Sequence, residues 1–282
     1  DELADDTPVY PTHGFGSFCS ASAAGRDAST IGEQRDNNPA LTKSEQAFVD
    51  ELLSDLAEYP AYYAHTGVIN RQGPPPVDLS APVPVEPGEL RRRIEAGEWV
   101  IDLRRRTAFA AGHLGGTYGF ELSDSFVTYV GWLYAWGAPL TLIGDDGHQI
   151  ASAQRELARI GIDGVNGAAT GDIRVLAGEG ALRSYRVADF AALAAELHRP
   201  DVTVLDVRRS DEFGEGHVRG AVNIPVHELA DRAGELSEGP IWVHCASGYR
   251  ASVAASILDH RERSVVLIDD DFGNAEKVGL TS

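Results

Sequence analysis

Cys245 closes the short apolar run Ile241 to Val243, and Ala-Ser-Gly-Tyr separates it from Arg250, in the stretch IWVHCASGYRAS (241–252). The small, helix-favouring run Ala251 to Leu258 follows. A cysteine between the end of a strand and the start of a helix has three uses: moving sulfur, cleaving a phosphate ester, or packing. If a helix begins near Ala251, the N–H groups of residues 246 to 251 curl round the Cys245 sulfur, reinforced by the positive end of the helix dipole. Ala246, Ser247 and Gly248 let that backbone come close, and Gly248 tolerates positive φ. Such surroundings favour thiolate over thiol. Arg250 adds a fixed charge and a planar fork suited to an anionic donor. Together these are the parts of an activated nucleophile. His244 adjoins the cysteine, but neighbours on a strand point to opposite faces, which makes it a poor paired base.

The elements that hold this loop come from a repeat. WVIDLRRRTAFAAGHLGGTYGFEL (99–122) aligns without a gap on TVLDVRRSDEFGEGHVRGAVNIPV (203–226), and APLTLIGDDGHQIASAQREL (138–157) on GPIWVHCASGYRASVAASIL (239–258). Asp102 meets Asp206, Arg104 meets Arg208, and Gly112-His113 meets Gly216-His217. In this register Gly144 occupies the cysteine position and Gln149 the arginine position; a slip of one puts Asp145 opposite the cysteine. Neither register gives the first copy a thiol. A unit this long is a duplicated domain rather than a solenoid repeat.

Each copy reads as a helix followed by a strand. EPGELRRRIEAGE precedes Trp99–Leu103, and RVADFAALAAELHRP, with Val187, Phe190, Leu193 and Leu197 at helical spacing, precedes Val202–Val207. Short β-branched runs without alternation predict strands covered on both faces, hence an α/β domain with a mainly parallel sheet. In such sheets ligands lie beyond the carboxyl ends of the strands. The aromatic stretch FVTYVGWLYAWGAPL (126–140) reads as core or interface, and the proline-rich INRQGPPPVDLSAPVPVEPG (69–88) as a semi-rigid spacer.

DVRRSDEFGEGHVRGAVNIP followed by VHCASGYRAS resembles a rhodanese domain, a sulfurtransferase fold that carries sulfane sulfur as a cysteine persulfide. The resemblance makes Cys245 the catalytic nucleophile with Arg250, and Ala246, Ser247, Gly248 and Tyr249 the substrate-binding cradle. Asp206 and Arg208 are expected to support the loop, and His217 to be structural. Related phosphatase and arsenate-reductase loops carry five residues between Cys and Arg; the four here suit one extra sulfur atom better than a tetrahedral oxyanion. Residues 82–180 resemble an inactive rhodanese copy, and residues 181–282 an active one.

VYPTHGFGSFCSASAAGRDASTIGEQRDNNPAL (9–41) resembles the C-terminal end of a metallo-β-lactamase-fold (αββα) domain of the persulfide dioxygenase and glyoxalase II type, with residues 1–76 its remnant plus linker. The resemblance makes His13 a metal-region histidine and Cys19 a second thiol able to exchange persulfide. It implies non-haem Fe(II) in a complete metal domain, yet the His-x-His-x-Asp-His motif is absent, so metal-dependent activity is not expected of this chain. Sulfur transfer itself needs no cofactor.

A formal charge of −19, from 43 acidic against 24 basic residues, argues against nucleic acid or anionic membranes as partners. The two cysteines form no disulfide framework, which predicts a cytoplasmic protein. The absence of methionine suggests a chain truncated or processed at its start. The expected function is transfer of sulfane sulfur through a Cys245 persulfide, from glutathione or another thiol persulfide, or thiosulfate, to a thiol, sulfite or cyanide. A homodimer is compatible with it. The alternatives are a Cys-dependent phosphatase or arsenate reductase, and a non-catalytic persulfide-sensing scaffold.

Overall fold

The computed structural model describes residues 3–10, 28–54 and 60–281. His13 and Cys19 lie outside the described residues. The chain divides into two compact units, Asp1–Tyr59 and Pro60–Ser282.

In the first unit, Pro8–Val9 pairs antiparallel with Ser29–Thr30. The helix Ile31–Asn37 then starts on a reciprocal cap: Thr30 Oγ1 accepts from the Glu33 N–H, and Glu33 Oε2 accepts from the Thr30 N–H, both at 3.2 Å. Asn38 caps the next turn, Pro39–Thr42, which has proline at its start.

Both repeats lie in the second unit. In the first copy, β1 (Trp99–Asp102), β2 (Tyr118–Gly119), β3 (Leu140–Gly144) and β4 (Val165–Thr170) form a parallel sheet in the order β2-β1-β3-β4. In the second, β5 (Arg186–Ala188), β6 (Thr203–Asp206), β7 (Val222–Asn223), β8 (Ile241–His244) and β9 (Val265–Ile268) form a parallel sheet in the order β7-β6-β8-β9-β5. All of β3 and β8 is buried, as expected of central strands covered on both faces. Strand pairing settles the alignment. Asp102 faces Ile143 and Asp206 faces His244, so Gly144 stands on Cys245 and the slipped register is excluded.

Two expectations change. Val187 was expected on a helix, but it lies in β5, paired with Leu267 at the sheet edge. The helix begins only at Phe190, where the Asp189 carboxylate accepts from the Ala192 N–H at 2.8 Å. The cap outweighs the apolar spacing that ran across it. The proline-rich stretch, expected to be a semi-rigid spacer, is docked on the first copy. Ala168 accepts from the Val85 N–H at 2.8 Å and its own N–H donates to Val83 O at 2.9 Å, while Ser80 O accepts from Gln154 Nε2 at 3.0 Å. The helix Tyr63–Gln72 belongs to this unit too, with His65 stacked on Trp136 at 4.1 Å.

One core runs through both copies: Ile101, Leu103, Phe120 and Leu142 of the first join Leu205, Val243, Val253 and Leu267 of the second. The helix Tyr249–His260 is its hub, and Ala251 through Asp259 are all buried. A helix buried all round needs cover on every side. Its own sheet supplies one side, and β2 of the first copy another, with Tyr118 stacked on His260 at 4.6 Å. The small residues Ala251, Ser252, Ala254, Ala255 and Ser256 admit that close approach.

Candidate functional site

Cys245 directly follows β8, at the carboxyl end of a central strand, and is 2% exposed. The Gly248 N–H donates to its Sγ at 3.2 Å. Gly248 has φ +90°. A β-carbon there would lie 2.0 Å from Asp269 Oδ1, so both backbone and space require glycine. Of the cradle expected from Ala246 to Arg250, the Gly248 N–H is the group hydrogen-bonded to the thiol. Ala246 turns its carbonyl to the Phe272 N–H at 2.9 Å, and Ser247 lies exposed at the tip.

Arg250 and Tyr249 sit differently from the expectation. The Arg250 fork closes on Glu212, with Nη2 donating to Oε1 at 2.8 Å and Nη1 to Oε2. Its charge is thus answered within the protein, not held free for an anionic donor. Burial opposes the guanidinium's charge, but Glu212 outweighs this and the pKa rises. Burial likewise raises the Glu212 carboxyl, and the Arg250 hydrogen bonds carry it below the usual range. Tyr249 is buried, and its hydroxyl donates to the Glu121 carbonyl of the first copy at 2.9 Å. Its side chain anchors the loop to the first copy.

Asp206 and Arg208 form a closed clamp. Arg208 Nη2 donates to Asp206 Oδ2 and to Gly216 O, each at 2.7 Å, and its own N–H donates to Asp206 Oδ1 at 3.0 Å. The guanidinium lies 3.8 Å from the Phe272 ring centroid, and Phe272 holds Ala246. Arg208 thus reaches the loop through one intermediary. His217 Nδ1 meets Phe213 O at 3.1 Å, with the imidazole stacked on the Phe213 ring. His244 packs between Phe190 and Phe272, and neither ring nitrogen has a partner within hydrogen-bond geometry. Burial lowers its pKa to about 4, opposed in part by Asp206 at 3.7 Å.

Four residues that the cysteine motif did not point to complete the surroundings. Glu212 was visible only as part of the repeat. Arg106, Glu121 and Tyr129 come from the first copy. Arg106 Nε donates to Asp269 Oδ1 and its Nη1 to Glu121 Oε2, both at 2.7 Å. The Tyr129 ring lies 5.5 Å from that of Tyr249. Burial raises its phenol pKa, with the charges of Arg250 and Cys245 also acting on it.

Among the described residues no group of three or more His, Cys, Asp or Glu is arranged to hold a metal ion. The iron implied for a complete metal domain is assigned no ligands among these residues, and His13 lies outside them. Among the described residues, too, no helix is long and apolar enough to cross a membrane.

Residues 189–274 match the family model of the rhodanese-like domain. The chain is 41% identical over 93 residues to the HTH-type transcriptional regulator Rv0324 of Mycobacterium tuberculosis, covering 32% of this chain and 41% of that protein. It is 42% identical over 58 residues to the putative sulfur carrier protein YrkF of Bacillus subtilis, covering 20% of this chain and 31% of that one. The chain thus spans less than half the length of these relatives. Among solved structures, a metallo-β-lactamase from Staphylococcus aureus aligns at 27% identity with a TM-score of 0.43, over 61% of this chain and 47% of its own. The matched residues 189–274 lie in the second copy and include the Cys245 loop.

Proposed function

We propose that this chain is a sulfurtransferase that carries sulfane sulfur on Cys245. The observation that carries the reading is the thiol itself, at a strand end, bonded by the Gly248 N–H at 3.2 Å, with the neighbouring guanidinium closed on Glu212. A phosphate-cleaving loop needs its arginine free for a tetrahedral oxyanion. A loop that receives one sulfur atom does not.

In the first step the Cys245 thiolate attacks the outer sulfur of a persulfide, R–S–SH. The Cys245 S–S bond forms, the donor's S–S bond breaks, and the donor leaves as the thiolate R–S⁻. With thiosulfate the same displacement releases sulfite. In the second step an acceptor thiolate attacks the outer sulfur, forms its own S–S bond and returns the Cys245 thiolate. Sulfite as acceptor gives thiosulfate, and cyanide gives thiocyanate. The nearby arginines favour the less highly charged donor: Arg250 is held by Glu212, and Arg106 by Asp269 and Glu121. A low-molecular-weight thiol persulfide such as glutathione persulfide fits this better than dianionic thiosulfate. The free Cys245 thiol suits the reducing cytoplasm. The resemblance of residues 9–41 to a metallo-β-lactamase fold supports a place beside persulfide oxidation in a longer protein.

Intact mass after incubation with glutathione persulfide or thiosulfate should show one added sulfur, absent in Cys245→Ser. Cyanide or sulfite should then discharge it over repeated turnovers. An adduct that survives the substitution moves the chemistry to Cys19. Sulfur that loads but never turns over identifies a sensing scaffold instead.

A further inference from the structure

The first copy has no thiol, yet one of its side chains reaches the floor of the cysteine loop. Arg106 lies at the start of the helix Arg106–Ala111, just beyond β1. It spans two carboxylates at 2.7 Å each: Glu121 of its own copy and Asp269 of the other. Asp269 directly follows β9, and its Oδ1 fills the space where any side chain at Gly248 would lie. The Gly248 N–H in turn is the donor to Cys245 Sγ. Glu121 acts at a second point, because its carbonyl accepts from the hydroxyl of Tyr249, the residue after Gly248. Contacts therefore run without a break from Glu121 through Arg106 and Asp269 to Gly248 and the sulfur.

We infer that Arg106 is a positioning residue for the Cys245 loop, supplied by the copy that lacks the cysteine. It fixes the Asp269 carboxylate against Gly248, and so fixes the direction of the N–H that meets the sulfur. The arrangement is not a by-product of the duplication. The aligned position in the second copy is Ser210, Glu121 aligns with Pro225, and the strand registers make Thr170 the first copy's equivalent of Asp269. The contact thus runs one way, from the inactive copy to the active one. Without the guanidinium, Asp269 faces Gly248 with an unanswered charge. It can then turn towards solvent, and Gly248 loses the wall that holds its φ of +90°.

This inference rests on the sulfurtransferase reading for its kinetic arm only, so the test has two arms. In the first, Arg106→Leu lowers kcat for sulfur transfer by about ten- to a hundred-fold, as misplacement of a reacting group by about 1 Å does, with KM nearly unchanged. Arg106→Lys, which keeps one ion pair but not the two-carboxylate span, recovers part of it. In the second, iodoacetamide alkylation of Cys245, resolved by peptide mass on the folded protein well below its Tm, speeds up several-fold in Arg106→Leu, because a loosened loop exposes a thiol that is otherwise 2% exposed. Asp269→Asn, which keeps shape and an acceptor, gives the same two changes and serves where Arg106→Leu does not fold. Unchanged alkylation and unchanged kcat in a folded Arg106→Leu overturn the inference. A wild-type protein that takes up no sulfur overturns the sulfurtransferase reading, while the alkylation arm still decides the role of Arg106.

Discussion

The loops after β3 and β8 are the same loop used twice, and they differ in what answers the start of the following helix. After β3, Asp146 caps the helix Gly147–Arg159 by accepting from the Gln149 N–H at 2.9 Å, and Gln149 Oε1 accepts from the Asp145 N–H at 2.7 Å. After β8 no side chain caps the helix, Gly248 sits in the left-handed region, and its N–H goes to sulfur. A carboxylate and an amide in one copy take the place that a thiol holds in the other. The helix terminus favours an anion in both. Only the second leaves that place to an atom that can react.

The frame around the loops is unchanged. Arg104 holds Asp102 at 2.7 Å and the Gly112 carbonyl at 2.9 Å, matching Arg208 with Asp206 and Gly216. A clamp kept by the copy without chemistry belongs to the fold. If that holds, Arg104→Met and Arg208→Met each leave a carboxylate buried without its partner and cost about 3–5 kcal/mol, as read by urea denaturation. A much larger loss for Arg208 alone would show that its contact with Phe272 does more than the shared clamp.

Glycine substitution separates the two loops next. Gly248→Ala meets both a left-handed φ and the Asp269 carboxylate, which predicts a loss of about 1–3 kcal/mol together with most of the sulfur loading. Gly147→Ala, at the aligned position, has open space beyond its α-carbon and is predicted to change stability by no more than about 0.5 kcal/mol. Equal effects at the two sites would refute the difference drawn between the loops.

His244 stands where the first copy has Ile143. Its native pKa of about 4 lies below the 6.5 of the free side chain, with burial the main cause. The unfolded chain therefore binds the extra proton first as pH falls. Stability contributed by the neutral ring is complete above 6.5 and declines as pH drops towards 4, by up to about 1.4 kcal/mol per pH unit. His244→Ile, which installs the first copy's residue, should remove that part of the slope between pH 6 and 4.5. An identical pH–stability curve in wild type and variant would mean that the ring is solvated or charged in the native state.

Much of this was legible in the residues. The repeat located both sheets, the apolar runs located their central strands, and ASG between Cys245 and Tyr249 marked a loop where backbone comes close to sulfur. The failures share a cause. Val187 was read into a helix because apolar spacing does not register the cap at Asp189. The pairing of Arg250 with Glu212 was missed because nothing local singles out Glu212 among the acidic residues.

The sequence by itself determined where a thiol stands, which copy has one, and where the central strands run, since strand patterning and glycine are properties of a few adjacent residues. The tertiary structure alone decided what surrounds the thiol. Glu212 against Arg250, Glu121 against Tyr249 and Arg106 against Asp269 join positions 38, 128 and 163 residues apart. Those pairs exist only once the helix Tyr249–His260 is packed between two sheets, because the packing, not the local pattern, selects which charges meet.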